Sequence, residues 1–218
     1  MKLYYSPGAC SLSPHIALHE SGLAHSLVRV TMKTHQLPDG SDFYAINPLG
    51  YVPVLELGSG ERLRECSAIL QCIADQVPGK ALAPAHAALA RYRLQEWLGF
   101  ISTELHQPFG QLFNPATPDN FKPALHTRLL QRLQWVDGQL ASQLHLMGEP
   151  LTVADIYLFT VVNWSGFVGV DVSGLGHLSA SQARLSERPA VPAALRAEAL
   201  IAELAPPDAS RLRRAATS

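Results

Sequence analysis

LYYSPGACSLSPHIALHESG, residues 3–22, carries three structural signals in one run. Lys2 to Tyr5 is a short apolar stretch halted by Ser6-Pro7-Gly8, which reads as a β-strand entering a turn. Ser11 or Ser13 then supplies an N-cap, and Pro14 falls in the first turn, where its missing N–H is tolerated. Leu12 and Ile16 stand four apart, and Ser21-Gly22 stops the helix. Leu27 to Val30 is β-branched and half alternating, a second strand. The run and its flank predict a β-α-β unit with Cys10 at the strand-to-helix turn.

Outward from this unit, Thr31 to Gly50 reads as a polar connection in which Asp42 to Ile46 forms only a turn or two of helix. Tyr51 to Leu57 is strand-like but contains Pro53, whose missing N–H confines it to an edge or a bend. Gly58-Ser59-Gly60 predicts a hairpin turn into a short strand around Leu63. From Cys66, the spacing of Ile69, Leu70, Ile73 and Val77 predicts a helix ending at Pro78-Gly79. The composition shifts once, near PGKALAP, and everything beyond is helical.

Leu94, Leu98, Ile101 and Leu105 form the buried stripe of one long helix. A second starts at Asp119, and its stripe Phe121, Leu125, Leu129, Leu133, Val136, Leu140 and Leu144 spans more than six turns, with Pro123 tolerated in the first. Thr152 with Asp155 resembles a capping box in which Asp replaces Glu, opening a helix too apolar to lie exposed. The uncharged stretch Ile156 to Val170 has fifteen residues, short of the roughly 20 that a membrane span needs, and reads as a buried helix. Pro189 to Glu203 predicts a last helix, and the tail from Pro206, with Arg211, Arg213 and Arg214, a solvated segment. The domain reading is 1–80, 87–205 all-helical, and a tail 206–218.

The chain has 218 residues, which allows one or two domains. With 47% hydrophobic and 16% charged residues it is too apolar for a disordered chain. Seventeen Lys+Arg against eighteen Asp+Glu leave a net charge of -1, so no overall field attracts phosphate backbones or anionic lipid, and neither nucleic acid nor membrane is an expected partner. Cys10, Cys66 and Cys72 are odd in number and match no CxxC or paired zinc spacing, which argues against a disulfide scaffold or a structural metal and fits a reducing cytosol. Pro7 and Gly8 interrupt the N-terminus before an apolar run of signal-peptide length builds, so a cytoplasmic chain starting at residue 1 is expected.

Cys10 precedes a helix whose unpaired N–H groups and dipole favour thiolate. Free cysteine is also among the most buried residue types, and position alone leaves both readings open. Ser11 is either the N-cap or a donor to a bound sulfur. Gly99, Thr103, His106 and Gly110, spaced four, three and four apart beside the leucine stripe, suggest a cleft wall, although a lone histidine is more often satisfied by a backbone carbonyl. His15 and His19, four apart, have a spacing that can bind a metal, but no HExxH glutamate or cysteine ligand accompanies them; they read as mostly solvated, and no metal is expected. Glu65, Cys66 and Ser67 open the helix from Cys66, where free N–H groups and a hydroxyl either hold a carboxylate or serve as ordinary caps.

Together, LYYSPGACSLSPHIALHESG, NPLGYVPVLEL, ECSAILQCIADQVP, WLGFISTELH and LTVADIYLF resemble the bacterial beta class of cytosolic glutathione S-transferases along nearly the whole chain. The resemblance implies a thioredoxin-like α/β N-terminal domain that binds glutathione, an all-helical C-terminal domain, a homodimer and an active cleft between the domains. It implies that Cys10 contacts the glutathione sulfur and can form a mixed disulfide with it, and that His106 is the cleft histidine. Pro53 matches the family's cis-proline, so the Val52 backbone would pair with the cysteinyl part of glutathione. Glu65 and Cys66 match the positions that hold the γ-glutamyl end. His35, Ser67 and Thr103 are expected beside them, and Thr152 with Asp155 matches a capping box that serves folding.

The chain departs from the family pattern at Cys66, where relatives carry Ser or Gly, at His35 and Gln107, where they carry lysines, and at Gly99, where Asn occurs. The implied function is conjugation of the glutathione thiolate to hydrophobic electrophiles in detoxification, with glutathione as co-substrate and no metal. Cys10, Ser11 and His106 would share the work of holding the thiolate, and the helical domain would take the apolar co-substrate. Glutathione-dependent thiol-disulfide exchange through Cys10, and ligand binding without catalysis, are the alternatives.

Overall fold

The computed structural model describes residues 1–201. Strand β1 (Lys2–Tyr5), helix α1 (Leu12–Ser21) and strand β2 (Ser26–Arg29) form the β-α-β unit, with β1 and β2 parallel and Lys2 opposite Ser26. β3 (Val54–Glu56) and β4 (Arg62–Leu63) add antiparallel pairs, giving a four-stranded sheet in the order β2-β1-β3-β4. Of Tyr51 to Leu57 only Val54–Glu56 enters the ladder, since Pro53 has no N–H to give it. The period of two sorts the strand side chains. Leu3, Tyr5 and Leu55 join the main core with α1 and α2 (Cys66–Asp75), while Tyr4 and Val54 join a smaller cluster with Val30, Phe43 and Val52. This thioredoxin-like domain is followed by an all-helical one.

In the helical domain, α3 (Leu89–Phe100), a π-helical segment (Ile101–His106) and α4 (Gln107–Phe113) follow one another without a break. Leu94, Leu98, Ile101, Leu105 and Phe109 are all buried. The expected single α-helix is therefore interrupted by a wide turn, which the spacing cannot reveal because steps of four suit both helices. α5 (Lys122–Leu140) has 19 residues and is shorter than its stripe suggests. Phe121 and Leu144 lie outside it and are exposed. α6 (Val153–Val162) is buried along its whole length but stops at Asn163, and a short 3-10 turn, Ser165–Val168, occupies the rest of the uncharged stretch.

α7 (Gly176–Ser186) had no legible stripe, because only Leu178, Ser181 and Leu185 face inward. α8 (Ala190–Ala197) lies within the expected last helix. The end of that range and the tail from Pro206 fall outside the described residues. No described helix is long and apolar enough to cross a membrane.

One core runs through both domains, from Leu3 to Ala194. α1 is covered by α2 on one side and by α6 and α8 on others, so nearly all of it is buried. This corrects the expectation for His15, which is 0% exposed with Nδ1 2.8 Å from Glu198 Oε1; His19 is half-buried. Polar ties fasten the domains. Arg188 holds Glu20 through two bonds of 2.6 and 2.8 Å, and buried Arg91 holds Asp75 through two of 2.8 and 2.9 Å.

Candidate functional site

Cys10 sits in the loop between β1 and α1. The Ala9 N–H donates to Ser6 O at 3.1 Å and the Leu12 N–H to Ala9 O at 3.0 Å, winding the chain into turns that end on α1. Gly8, at φ +71°, supplies a left-handed step that a residue with a Cβ rarely takes. Its peptide groups are gripped from the helical domain: the Gly8 N–H donates to Glu198 Oε2 at 2.9 Å, and Trp164 Nε1–H donates to Gly8 O at 2.9 Å. The loop that carries Cys10 is thus positioned by residues more than 150 positions away.

A cavity of about 340 Å³ opens beside it, lined by Cys10, Tyr51, Val52, Pro53, Glu65, Cys66, His106 and Tyr157. It collects the β1–α1 loop, the bend before β3, the N-terminus of α2, the π-helical segment and α6. The Val52–Pro53 bond is cis. Six residues singled out in the sequence meet here: Cys10, Val52, Pro53, Glu65, Cys66 and His106. A larger apolar hollow of about 560 Å³, lined by Leu12, Phe159, Trp164 and Leu195 among others, holds none of these six; chemistry, not size, identifies the site.

The Cys66 thiol lies 3.6 Å from the Cys10 carbonyl oxygen and also within reach of the Cys10 sulfur; a hydrogen bond given to that sulfur when it is ionised is the largest influence on Cys10. Burial opposes it and His106 reinforces it, and the result is a Cys10 pKa lowered from 9.0 to about 5. Cys66, donating to that charge and buried, is raised well above 9.0. At neutral pH the pair therefore holds one negative charge, on Cys10. The 3.4 Å contact from Cys10 Sγ to Val52 O belongs to the protonated thiol, since a thiolate has no proton to donate.

His106 is oriented from behind. Tyr157 is 1% exposed, and burial pushes its phenol far above the usual range, so it keeps its proton. Tyr157 Oη lies 2.6 Å from His106 Nδ1. A phenol donating to Nδ1 leaves the proton of the neutral imidazole on Nε2, available to the sulfur of Cys10. The sequence reading missed Tyr157, although a signal existed: a buried tyrosine in an otherwise apolar helix needs a partner for its O–H.

Glu65 occupies φ +66°, a strained position for a residue with a side chain, immediately before α2. Its carboxylate accepts from Tyr51 Oη at 3.0 Å. The first N–H groups of α2 have no intrahelical acceptor and stand at the cavity's edge.

The remaining expected residues lie apart from the cavity lining. Ser11 is buried; its hydroxyl donates to Ser6 O at 3.2 Å and accepts from Ser6 N–H at 3.1 Å, so it braces the loop and not a ligand. Ser67 is half-buried on the first turn of α2. His35 stacks on Tyr44 with ring centroids 4.7 Å apart. Thr103 is exposed and donates to Gly99 O at 3.1 Å, so of the stripe Gly99, Thr103, His106 and Gly110 only His106 faces the cavity.

Comparison with known proteins agrees over both domains. Residues 8–76 match the family model for the glutathione S-transferase N-terminal domain, and residues 100–189 that for the C-terminal domain. Glutathione S-transferase GstA of Escherichia coli O157:H7 is 44% identical over 200 residues, 92% of this chain and 100% of that protein. Among solved structures, a ternary complex of BphK, a bacterial GST, superposes with a TM-score of 0.90 at 53% identity, covering 91% of this chain and 100% of that one. The bacterial beta-class glutathione S-transferase of Sphingomonas chungbukensis superposes at 0.89 with 47% identity, covering 92% and 100%.

Proposed function

The chain belongs to the glutathione S-transferase family, on its bacterial beta-class branch, and is a transferase that uses glutathione; we propose that the tripeptide lies in the 340 Å³ cavity with its sulfur between Cys10 and His106. The observation that carries this reading is the convergence, on one small cavity, of an acidic thiol, an imidazole N–H and an unpaired peptide. Among the described residues the Val52 N–H and C=O take part in no backbone hydrogen bond, so they are free to pair with an extended peptide. The γ-glutamyl carboxylate would take the N–H groups of Cys66 and Ser67, and its ammonium the Glu65 carboxylate. Cys66 spends its thiol on Cys10, so at this position the backbone does the holding.

Ionising the glutathione thiol at neutral pH requires lowering its pKa by about two units, or about 2.7 kcal/mol of differential stabilisation. The His106 N–H supplies one hydrogen bond toward this; because a second negative charge beside the Cys10 thiolate is disfavoured, the glutathione sulfur would ionise by passing its proton to Cys10, leaving the site with a single charge. Finer points belong to the same reading: an apolar electrophile held against the helical domain, a role in detoxification in the cytoplasm, domains meeting between residues 80 and 87, and a homodimer. Leu89 and Tyr92, 74% and 61% exposed on α3, are apolar surface that a second copy would cover. Turnover of an aryl halide with glutathione tests the conjugation; no rate across a range of electrophiles would contradict it.

The acidity of Cys10 favours a second reaction at the same site. Its thiolate would attack one sulfur of oxidised glutathione, break that S–S bond, form a mixed disulfide and release glutathione as thiolate. Incubation with oxidised glutathione should add one glutathione mass, and Cys10→Ser should abolish the addition; an unchanged wild-type mass would rule the reaction out.

A further inference from the structure

We propose that His15, His19 and His25 form a site for a borderline divalent transition-metal ion, zinc first among them, outside the glutathione cavity. One ring nitrogen from each histidine lies within 4.8 Å of the corresponding atoms of the other two. His15 and His19 come from successive turns of α1, and His25 stands immediately before β2, where the β-α-β crossover brings it back over the same helix end. Their ring centroids are 5.0 Å (His15–His19), 5.2 Å (His19–His25) and 5.9 Å (His15–His25) apart.

The hydrogen bonds identify which nitrogens are free. His15 Nδ1 faces a carboxylate oxygen of Glu198 at 2.8 Å, and His25 Nδ1 faces the Leu23 carbonyl at 2.9 Å. Both partners can only accept, so each Nδ1 carries a proton and each neutral ring presents its lone pair at Nε2. His15 Nε2 and His19 Nε2 are buried and without a hydrogen-bond partner among the described residues. A wholly buried imidazole nitrogen with no partner is costly, and a metal ion removes that cost. Histidine ligands whose second nitrogen donates to a carboxylate or a carbonyl are the arrangement that orients metal sites.

Three imidazoles without a thiolate or carboxylate ligand suit zinc, copper or nickel ions over magnesium or calcium. A tetrahedral zinc at about 2.1 Å from each nitrogen requires the rings to draw closer than they stand here. His19 and His25 are half-buried and can make that adjustment, and they leave a fourth position for water. The ion would tie the end of α1 to the start of β2. Through His15 and Glu198 it would also bear on Gly8, in the loop that carries Cys10.

The test is titration of the chelator-treated full chain, without added glutathione, with zinc chloride against a chromogenic zinc competitor. The wild type should bind one equivalent, and the His19→Ala/His25→Ala variant, which spares buried His15, should lose affinity at least 100-fold. Its unfolding midpoint in zinc-free buffer reports whether it folds. If it does not, His25→Gln alone should still lose at least tenfold. Cobalt loading gives an independent readout: three nitrogens and water should show no thiolate-to-cobalt charge-transfer band. No binding by the wild type at about 100 μM free zinc, full retention by the folded histidine variants, or a thiolate band would each overturn the proposal.

Discussion

At Cys10 one charge is held by Cys66 and His106, and its pH dependence has a definite sign. The folded pKa, about 5, lies below the ordinary 9.0. The stability this contributes is complete above pH 9 and drains away as pH falls through about 5. Cys66 is raised, so its contribution is complete below pH 9 and lost above it. The pair should therefore make stability climb with pH from about 5 to a maximum near 9 and fall beyond it, a dependence absent from the Cys10→Ala/Cys66→Ala double variant in denaturant titrations at several pH values. The alkylation rate of Cys10, which follows its thiolate fraction, should be flat from pH 9 to 7 with a midpoint near 5. Cys66→Ala should move that midpoint up further than His106→Asn, because the Cys66 hydrogen bond is the larger influence. A wild-type midpoint at 8 or above would contradict the assignment. Tyr157→Phe keeps the packing but frees His106 Nδ1. The loss of one hydrogen bond worth about 1 to 1.5 kcal/mol should lower kcat/KM about tenfold, with KM for glutathione little changed.

Elements with chemically marked ends were legible, and those defined by packing were not. The turn Ser6-Pro7-Gly8 and the stop at Gly22 placed β1 and α1 closely because glycine and proline act locally. The π-helical segment escaped because its buried stripe has ordinary spacing, and α5 was drawn too long because Phe121 and Leu144 fit the period but find nothing to pack against. Of the six cavity residues named in advance, Cys10, Glu65 and Cys66 stood at helix starts, Pro53 at a bend and His106 on a helical stripe, while Val52 came from the family resemblance alone. His15 was misjudged because helical spacing says nothing of how many neighbours a helix will have; α1 is covered on several sides. The start of α6 was readable and is testable. Asp155 Oδ2 accepts from the Thr152 N–H at 2.8 Å and the Thr152 hydroxyl at 2.9 Å, and Oδ1 accepts from the Leu146 N–H at 2.7 Å, all buried. Asp155→Ala strands these donors and should cost about 2 to 4 kcal/mol in urea unfolding. A loss under about 0.5 kcal/mol would make the box ornamental.

Over the whole molecule, the helical domain builds the site in two ways: it contributes His106 and Tyr157, and it clamps Gly8 through Trp164 and Glu198. Trp164→Phe keeps most of the ring packing but leaves the Gly8 carbonyl without its donor. Stability should fall by about 1 kcal/mol. Amide exchange of Ala9 to Leu12 should quicken severalfold while that of α5 stays unchanged; equal quickening in both would mean a global effect. Where glutathione lies is tested most directly by a crystal structure with glutathione supplied at millimolar concentration. It should place the peptide beside Val52, the sulfur between Cys10 and His106, and the γ-glutamyl carboxylate on the N–H groups that open α2. Density only in the apolar hollow near Trp164, or a sulfur turned away from Cys10, would contradict it.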